Sequence, residues 1–158
     1  MLNKYRPCVG IILLNKDKKI LVGERIDSER NSLFSWQMPQ GGIDKNESPI
    51  NAALRELKEE IGTNNVSVVF EYEPWLEYKL PIDLAKKLWE GKYIGQKQKW
   101  FLMKFLGDDN EINIKTEIPE FKNWKWVRPD ELISLAVPFK RDIYKTLVEK
   151  VIPVRKSL

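Results

Sequence analysis

The sequence predicts an α/β or α+β sandwich, in which helices flank a mixed β-sheet. Three observations support this prediction. Short segments rich in β-branched and aromatic residues recur along the chain, and two amphipathic helical segments lie among and after them. The length of 158 residues suits one hydrophobic core and is too short for two ordinary domains. We therefore expect residues 1–158 to form a single domain.

The first part of the chain contains predicted strands and then a helix. Strands are predicted at residues 6–14 and 19–23, with a turn at 15–18 between them, and a short strand at 33–38 precedes the turn-prone residues 39–42. The first main helix is predicted at residues 49–61. Ser48 suits its N-cap, Pro49 its first position and Gly62 its C-terminal stop.

The second part of the chain returns to strands and ends in a helix. Residues 66–72 and 75–80 are predicted strands, and residues 82–89 a short helix. A stronger strand signal covers 97–106, before a turn at 107–110, and 123–127 form a short strand with two tryptophans. A terminal helix is predicted at 138–151, with one apolar side formed by Ile143, Leu147, Val148 and Val151.

The composition excludes several kinds of chemistry. The chain has no histidine, which excludes Ser-His-Asp and Cys-His nucleophiles and the commonest zinc ligands. The one cysteine, Cys8, lies in an apolar run, so an ordinary buried strand residue is the first interpretation and a reactive thiol the alternative. Catalysis must therefore rest on carboxylates, lysine, tyrosine or a bound metal. The net charge of +4 favours an anionic partner only weakly.

Nothing in the sequence predicts a contact with a membrane. The apolar runs are far shorter than the roughly 20 residues that span a bilayer. Residues 1–6 lack the apolar stretch of a signal peptide. We therefore expect a soluble cytoplasmic protein, and the sequence identifies no protein partner.

The helix predicted at residues 49–61 has an apolar side and an acidic side. The apolar stripe, which we expect to pack on the sheet, contains Ile50, Leu54, Leu57 and Ile61. The acidic face contains Glu56, Glu59 and Glu60. Ala52 and Ala53 lie one turn earlier on the acidic side, where small side chains would leave room for a ligand.

Two interpretations fit the acidic face. Like charges three and four residues apart destabilise an isolated helix, and a bound cation would reverse that effect. Clustered carboxylates are the ligands that Mg²⁺ and Mn²⁺ prefer, and these metals commonly bridge to phosphates. The alternative is a solvated face neutralised by Arg55 and Lys58. The spacing alone does not decide between them.

The residues around this helix extend the pattern over 41–63. Gly41, Gly42 and Glu47 precede it, and residues 55–62 read Arg-Glu-Leu-Lys-Glu-Glu-Ile-Gly. The segment resembles the signature of the Nudix family, G-x5-E-x7-R-E-U-x-E-E-x-G-U, where U is a bulky aliphatic residue. Its one departure is Thr63 at the last aliphatic position.

The resemblance implies a Nudix α/β/α sandwich with a metal site. The catalytic metals, Mg²⁺ or Mn²⁺, would be bound by Glu56, Glu59 and Glu60. The supporting residues would be Gly41, Gly42, Glu47, Arg55 and Gly62, with Glu47 and Arg55 holding the loop against the helix by a charge-assisted contact.

The resemblance extends from about residue 5 to residue 151. It is to the RNA pyrophosphohydrolase, or dinucleoside polyphosphate hydrolase, branch of the family of proteobacterial type. The segments that carry it are 5–7, 9–11, 36–43, 78–81, 94–101, 111–113, 119–121, 124–126 and 139–142. The spacer at 27–33 is longer than is typical of that branch, which leaves the surroundings of Arg25 open.

The same resemblance implies a set of substrate-binding residues. The base would be bound by Arg25, Tyr78 and Phe139, although an aromatic residue taken by itself is more often part of a core. The phosphates would be bound by Arg6, Gln40, Lys97, Lys99 and Lys140, although scattered lysines are more often surface residues. Glu120 would add a catalytic carboxylate, as a fourth metal ligand or as the base for the attacking water.

These expectations define a metal-dependent hydrolase of pyrophosphate linkages. The first hypothesis is conversion of the 5′-triphosphate or 5′-diphosphate end of RNA to a 5′-monophosphate. The alternative within the family is a diadenosine tetraphosphate, or dinucleoside polyphosphate, hydrolase. The alternative from another class is a nucleotide- or RNA-binding module without catalysis on the same fold, which the three helix glutamates argue against. The expected partner is 5′-phosphorylated RNA or a dinucleoside polyphosphate.

Overall fold

The computed structural model describes residues 4–26 and 36–158. The strands of this part of the chain are β1 (Tyr5–Leu14), β2 (Ile20–Arg25), β3 (Trp36–Gln37), β4 (Gln40–Gly42), β5 (Val66–Lys79), β6 (Gly95–Phe105) and β7 (Phe121–Val127). Its α-helices are α1 (Pro49–Ile61), α2 (Ile82–Trp89), α3 (Leu132–Leu135) and α4 (Arg141–Lys150). None of the helices in these described residues is long and apolar enough to cross a membrane.

The strands form one mixed sheet, with β1 at its centre. The main strand order is β3-β2-β1-β6-β5, and β4 pairs with β1 while β7 pairs with β2. β1 runs parallel to β6 along its whole length, and β5 and β6 are antiparallel. The predicted mixed sheet with flanking helices is therefore confirmed.

The sheet opens between β1 and β2. These strands pair only where Leu14 faces Ile20, at the end of the hairpin turn. Farther along, β1 pairs with β4, and β2 pairs with β3 and β7. The two strands therefore diverge, and residues 36–42 occupy the gap between them. This gap brings Gln37 and Gln40 close to the ends of β2 and β7.

Each face of the sheet is covered by its own hydrophobic cluster. Val9, Ile11 and Leu13 of β1 belong to the cluster beneath α1, whereas Ile12 and Leu14 belong to the cluster beneath α3 and α4. This alternation is the two-residue period of a strand. Because all of β1 from Cys8 onward is buried, the strand is sandwiched between helices on both faces. Cys8 is fully buried, which confirms the first interpretation of that residue.

The caps of α1 are as predicted. The Ser48 hydroxyl accepts a hydrogen bond from the backbone N–H of Asn51 at 3.3 Å. Gly62 has a φ of 78°, and its N–H donates to the Lys58 carbonyl. Glycine adopts that left-handed conformation without a steric cost, so the helix ends there.

The predicted division of α1 into an apolar and an acidic side is wrong in two respects. Ala52 and Ala53 are fully buried in the cluster beneath α1. Because both side chains lie against the sheet, the space beside them is filled by the protein core and no ligand fits there. Glu60 lies on the same buried side and is only 3% exposed. One of the acidic residues is therefore part of the interior.

Several predicted boundaries differ from the observed ones. The predicted turn at 39–42 contains β4, which pairs with β1. The two strands predicted at 66–72 and 75–80 are one strand, β5, with register shifts at 68–70 and 72–76. The terminal segment begins with a 3-10 turn at Pro138–Lys140 and continues as α4. Residues 33–35 of the predicted strand, and the spacer at 27–33, lie outside the described residues.

A buried hydrogen bond fixes the segment between β3 and β4. The Met38 backbone N–H donates to the Tyr144 hydroxyl of α4 at 2.9 Å. Tyr144→Phe leaves this N–H without its partner, so we expect the free energy of unfolding to fall by about 1–3 kcal/mol. Urea denaturation measures the change. The control is Tyr93→Phe, which removes a tyrosine hydroxyl but leaves the hydrogen bond of the Met38 N–H intact. Equal stability of Tyr144→Phe and wild type would contradict the proposed role of this bond.

Candidate active site

Arg55 joins α1 to the loop that precedes it. Its guanidinium donates to the Gly42 carbonyl at 2.8 Å and to both Glu47 carboxylate oxygens at 2.8 and 2.9 Å. The same group reaches Glu56 at 2.9 Å and Glu59 at 3.2 Å. One cation therefore contacts both ends of the loop and two glutamates of the helix. The supporting role predicted for Glu47 and Arg55 fits this geometry.

The Glu47 carboxylate is held in its ionised form. Hydrogen bonds from Arg55, and then from the Asp44 backbone N–H, lower the pKa of Glu47 to about 2. The Arg55 pKa is raised in turn, chiefly by the hydrogen bonds to Glu47. Both charges therefore persist through the physiological pH range, and the link between loop and helix does not depend on pH there.

Two glycines allow side chains of the site to approach the backbone. A Cβ at Gly41 would overlap the Glu56 carboxylate, and a Cβ at Gly42 would overlap the Arg6 guanidinium. A side chain at either position would displace the charged group beside it, so glycine lets both groups keep their positions. The predicted supporting roles of Gly41 and Gly42 are consistent with these close approaches.

The three helix glutamates and Glu120 line one cavity of about 480 Å³, which we call the acidic cavity. Its remaining lining residues are Lys58, Thr116, Glu117 and Ile118. The Gln40 backbone N–H donates a hydrogen bond to the Glu60 carboxylate. The other carboxylate oxygen, Oε2, is buried without a hydrogen-bond partner.

Burial makes the carboxylates of this cavity harder to ionise. Burial raises the pKa of Glu60 well above its ordinary value, and the charges of Glu56 and Glu120 raise it further. Burial also raises the pKa of Glu56, although the hydrogen bond and charge of Arg55 oppose that shift. The repulsion places Glu120 within electrostatic reach of both helix residues. A divalent cation in the cavity would offset this repulsion.

The carboxylates line one cavity, but they are not arranged as a complete set of metal ligands. Among residues 4–26 and 36–158, no three acidic, cysteine or histidine side chains are gathered closely enough to hold an ion as they stand. The contacts of Glu56 and Glu59 with Arg55 explain this spacing. The donor set still fits a hard divalent cation. It offers carboxylate oxygens only, and Glu60 Oε2 is a buried acceptor that lacks a donor.

A second cavity, of about 260 Å³, adjoins the first. Its lining includes six residues predicted to bind substrate, namely Arg6, Arg25, Gln40, Tyr78, Phe139 and Lys140. The remaining lining residues are Gln37, Leu80, Leu84, Leu88, Trp89, Gln96 and Glu120. We call it the aromatic pocket. Glu120 lines both cavities.

Two stacked rings of this pocket, those of Tyr78 and Phe139, differ in accessibility. Tyr78 is 8% exposed, and its ring stacks on Phe139 with centroids 5.8 Å apart. Phe139 is half-buried. Lys140 donates to Gln37 Oε1 at 3.1 Å and lies 5.9 Å from the Tyr78 ring centroid. Tyr78 is thus the more buried of the two rings, and its contact with a base stays a prediction.

Lys97 and Lys99 lie apart from both cavities. Their Nζ atoms are 5.3 and 5.6 Å from the ring centroid of Trp75, which is 39% exposed. The Lys99 Nζ also donates to the Glu73 carbonyl at 2.5 Å. We call Trp75, Lys97 and Lys99 the tryptophan–lysine cluster. Neither lysine reaches the phosphate path between the two cavities, and their binding role stays a prediction.

Sequence reasoning missed several residues of the site. Leu84, Leu88 and Trp89 of α2 form a wall of the aromatic pocket, and the amphipathic character of α2 was the only signal for them. Gln96 and Thr116 also line the cavities. A lone glutamine in a strand or threonine in a loop carries no periodic signal, so the fold alone reveals these positions.

Comparison with known proteins shows a likeness over most of the chain. A model described as the NUDIX domain matches residues 4–147. The RNA pyrophosphohydrolase of Roseobacter denitrificans is 53% identical over 147 residues, which are 92% of this chain and 90% of that protein. The protein of the same name from Pelagibacter ubique is 51% identical over 146 residues, again 92% of this chain and 90% of the relative.

Solved structures share the fold at lower identity. The E. coli dihydroneopterin triphosphate pyrophosphohydrolase superposes with a TM-score of 0.67 at 17% identity, covering 94% of this chain and 100% of that one. A C. elegans Ap4A hydrolase superposes with a TM-score of 0.68 at 20% identity, covering 96% and 99% of the two chains. At such identities the likeness establishes the fold alone.

The low pKa of Glu47 predicts a pH-dependent contribution to stability. Its folded-state pKa of about 2 lies below the ordinary value of about 4.3, so its stabilisation is present above that value and is lost as the pH falls toward 2. Glu47→Gln should melt below wild type at pH 7, and the difference should shrink between about pH 5 and pH 2. Thermal unfolding followed by circular dichroism, in the presence of chelator, measures this difference.

The matched control is Glu149→Gln, at an exposed position of α4. This variant should have the same melting temperature as wild type at pH 7 and at low pH. A Glu47→Gln difference that is absent at pH 7, or that stays constant down to pH 2, would contradict the proposed link with Arg55.

Proposed function

The chain belongs to the NUDIX family, and we propose that it converts the 5′-triphosphate or 5′-diphosphate end of RNA to a 5′-monophosphate end. Membership makes it a hydrolase of pyrophosphate linkages. The supporting observation is that Glu120 borders both the acidic cavity and the aromatic pocket. A terminal nucleotide can then place its base in the pocket and its phosphates in the cavity.

Nudix hydrolases generally use divalent metals. Here Glu56, Glu59, Glu60 and Glu120 would hold Mg²⁺ or Mn²⁺, since these carboxylates line one cavity and Glu60 has a buried oxygen to offer. When bound, such cations offset the negative charge of the phosphate oxygens and favour ionisation of water. The buried, mutually repelling carboxylates are thereby stabilised in their charged form.

The hydrolytic step follows from the position of Glu120. A water molecule forms a new bond to phosphorus, the bridging P–O bond breaks, and diphosphate or phosphate leaves. Glu120, which lines both cavities, would act either as a fourth metal ligand or as the base that accepts the proton of the water. Either role requires its carboxylate in the acidic cavity.

Residues of the aromatic pocket hold the terminal nucleotide. Phe139 stacks on the base, with Tyr78 behind it, and Arg25 lines the same pocket. Arg6 and Lys140 supply positive charge beside Glu120, where the phosphate chain would pass. Stacking by itself tolerates any base.

A dinucleoside polyphosphate is the second candidate substrate. It presents the same combination of a terminal base and a phosphate chain, so the adjoining cavities accept it equally. The tryptophan–lysine cluster favours RNA, because the exposed Trp75 ring beside Lys97 suits a longer chain of bases and phosphates.

An RNA substrate also implies a cytoplasmic location. We propose further that residues 1–158 act as one domain.

Glu60→Gln should separate catalysis from folding. The substitution removes a metal-binding oxygen, so turnover of a 5′-triphosphate RNA in Mg²⁺ or Mn²⁺ should fall by orders of magnitude, on the order of 10²-fold or more. In chelator at pH 7 the same variant should melt at or above wild type, because it relieves a buried, repelled charge. Phosphate release and thermal melting are the two measurements.

Glu59→Gln should lose turnover in the same way, and Glu149→Gln on α4 serves as the control for both. Chelation should abolish wild-type turnover, and Mg²⁺ or Mn²⁺ should restore it. Near-normal turnover by either variant, or turnover without metal, would refute the proposed metal site.

Two substitutions should distinguish the aromatic pocket from the tryptophan–lysine cluster. Phe139→Ala removes the stacking ring, so kcat/KM should fall on the order of tenfold for both a short 5′-triphosphate RNA and diadenosine tetraphosphate. Lys97→Gln should reduce kcat/KM for the RNA alone, and more at low salt, because it removes a contact to the following phosphates. Initial rates with both substrates under one metal condition measure the effects.

Lys145→Gln, at an exposed position of α4, provides the charge-matched control for Lys97→Gln. It should leave both substrates unaffected. Efficient cleavage of the dinucleotide together with no cleavage of the RNA would reject the RNA assignment and favour the second candidate.

A further inference from the structure

Two buried oxygen atoms of the acidic cavity have no hydrogen-bond partner. Across residues 4–26 and 36–158, the buried side-chain nitrogen and oxygen atoms without a partner are Glu60 Oε2 and Thr116 Oγ1. Both residues line the acidic cavity. The function proposed above uses Glu60 but assigns nothing to Thr116. Their coincidence in one cavity indicates that the same bound group satisfies both atoms.

The fold fixes Thr116 in this place. The Asn113 N–H donates to the Ile61 carbonyl at the end of α1, at 2.8 Å. At the other end of the segment, the Ile26 N–H donates to the Glu120 carbonyl at 3.0 Å. The segment that carries Thr116 is therefore tied to α1 and to β2. A buried hydroxyl without a partner costs free energy, so its retention in a fixed segment points to a ligand.

The charge of the lining identifies the kind of ligand. The cavity is lined by five glutamates, at positions 56, 59, 60, 117 and 120, and by one lysine, Lys58. A free anion would be repelled there, whereas a hydrated divalent cation would be attracted. Mg²⁺ keeps several of its water molecules when it binds to protein. Water polarised by a cation is a strong hydrogen-bond donor, and a threonine hydroxyl is an acceptor.

We propose that Thr116 is a positioning residue for the hydrated cation. Its hydroxyl would accept a hydrogen bond from a water molecule of a cation that Glu60 binds through its carboxylate. The inference rests on the proposed function, since it requires a divalent metal in the acidic cavity. It adds a residue that contacts the metal only through water, and Thr116 thereby orders that water beside the carboxylates.

The test compares Thr116→Val with Thr116→Ser, using Mn²⁺ alone as the probe. Titration followed by electron paramagnetic resonance gives the dissociation constant of Mn²⁺ without substrate. Thr116→Val keeps the volume and removes the hydroxyl, so Mn²⁺ should bind on the order of tenfold more weakly. Thr116→Ser restores the hydroxyl and should bind Mn²⁺ within about twofold of wild type.

Thermal melting distinguishes positioning from support of the loop. In chelator, Thr116→Val should melt at or above wild type, because it removes an unpaired buried hydroxyl. Added Mn²⁺ should raise its melting temperature less than that of wild type. Thr146→Val on α4, whose hydroxyl donates to the Asp142 carbonyl, should leave Mn²⁺ affinity unchanged.

Each outcome bears on a separate conclusion. Equal Mn²⁺ affinity of wild type and Thr116→Val would overturn the role of Thr116 and leave the proposed function standing. A loss of melting temperature in chelator, with no difference in affinity, would show that the hydroxyl serves the loop and would also overturn it. Failure of wild type to bind Mn²⁺ would refute the metal site itself and this inference with it.

Discussion

The site depends on one cation, the Arg55 guanidinium. It holds the loop through the Gly42 carbonyl and Glu47, and it holds two glutamates of α1 at the same time. Without this group, the loop would have no charged contact to keep Gly41 against the Glu56 carboxylate, where a Cβ has no room. The position of the acidic cavity therefore follows from an interaction inside one short segment of sequence.

The sheet supplies the second half of the site. Because β1 and β2 diverge beyond the single pair Leu14–Ile20, β4 pairs with the inner part of β1 and brings Gln40 to the aromatic pocket. The Gln40 backbone then donates to Glu60, while its side chain accepts from Gln98. The helix carboxylates and the aromatic pocket thus share one structural element.

Local sequence was sufficient to predict α1, its caps and its charged residues, because capping and side-chain spacing act over a few residues. Features that depend on contacts between distant segments of the chain could not be predicted from the sequence. Residues 39–42 read as a turn, since their pairing with β1 depends on the divergence of distant strands. Ala52 and Ala53 were placed beside a ligand because a helical wheel does not give the tilt of the helix on the sheet. The six residues of the aromatic pocket came from the family resemblance, whereas the wall formed by α2 required the fold.

The central claim is that the acidic cavity binds the metal that the hydrolase needs. Diffraction from crystals grown with Mn²⁺, recorded at the manganese absorption edge, locates that metal directly by its anomalous signal. The account predicts anomalous peaks within coordination distance of Glu56, Glu59 and Glu60, in protein that Mn²⁺ activates. Manganese bound elsewhere, with no peak in the acidic cavity of an active Mn²⁺ enzyme, would contradict it.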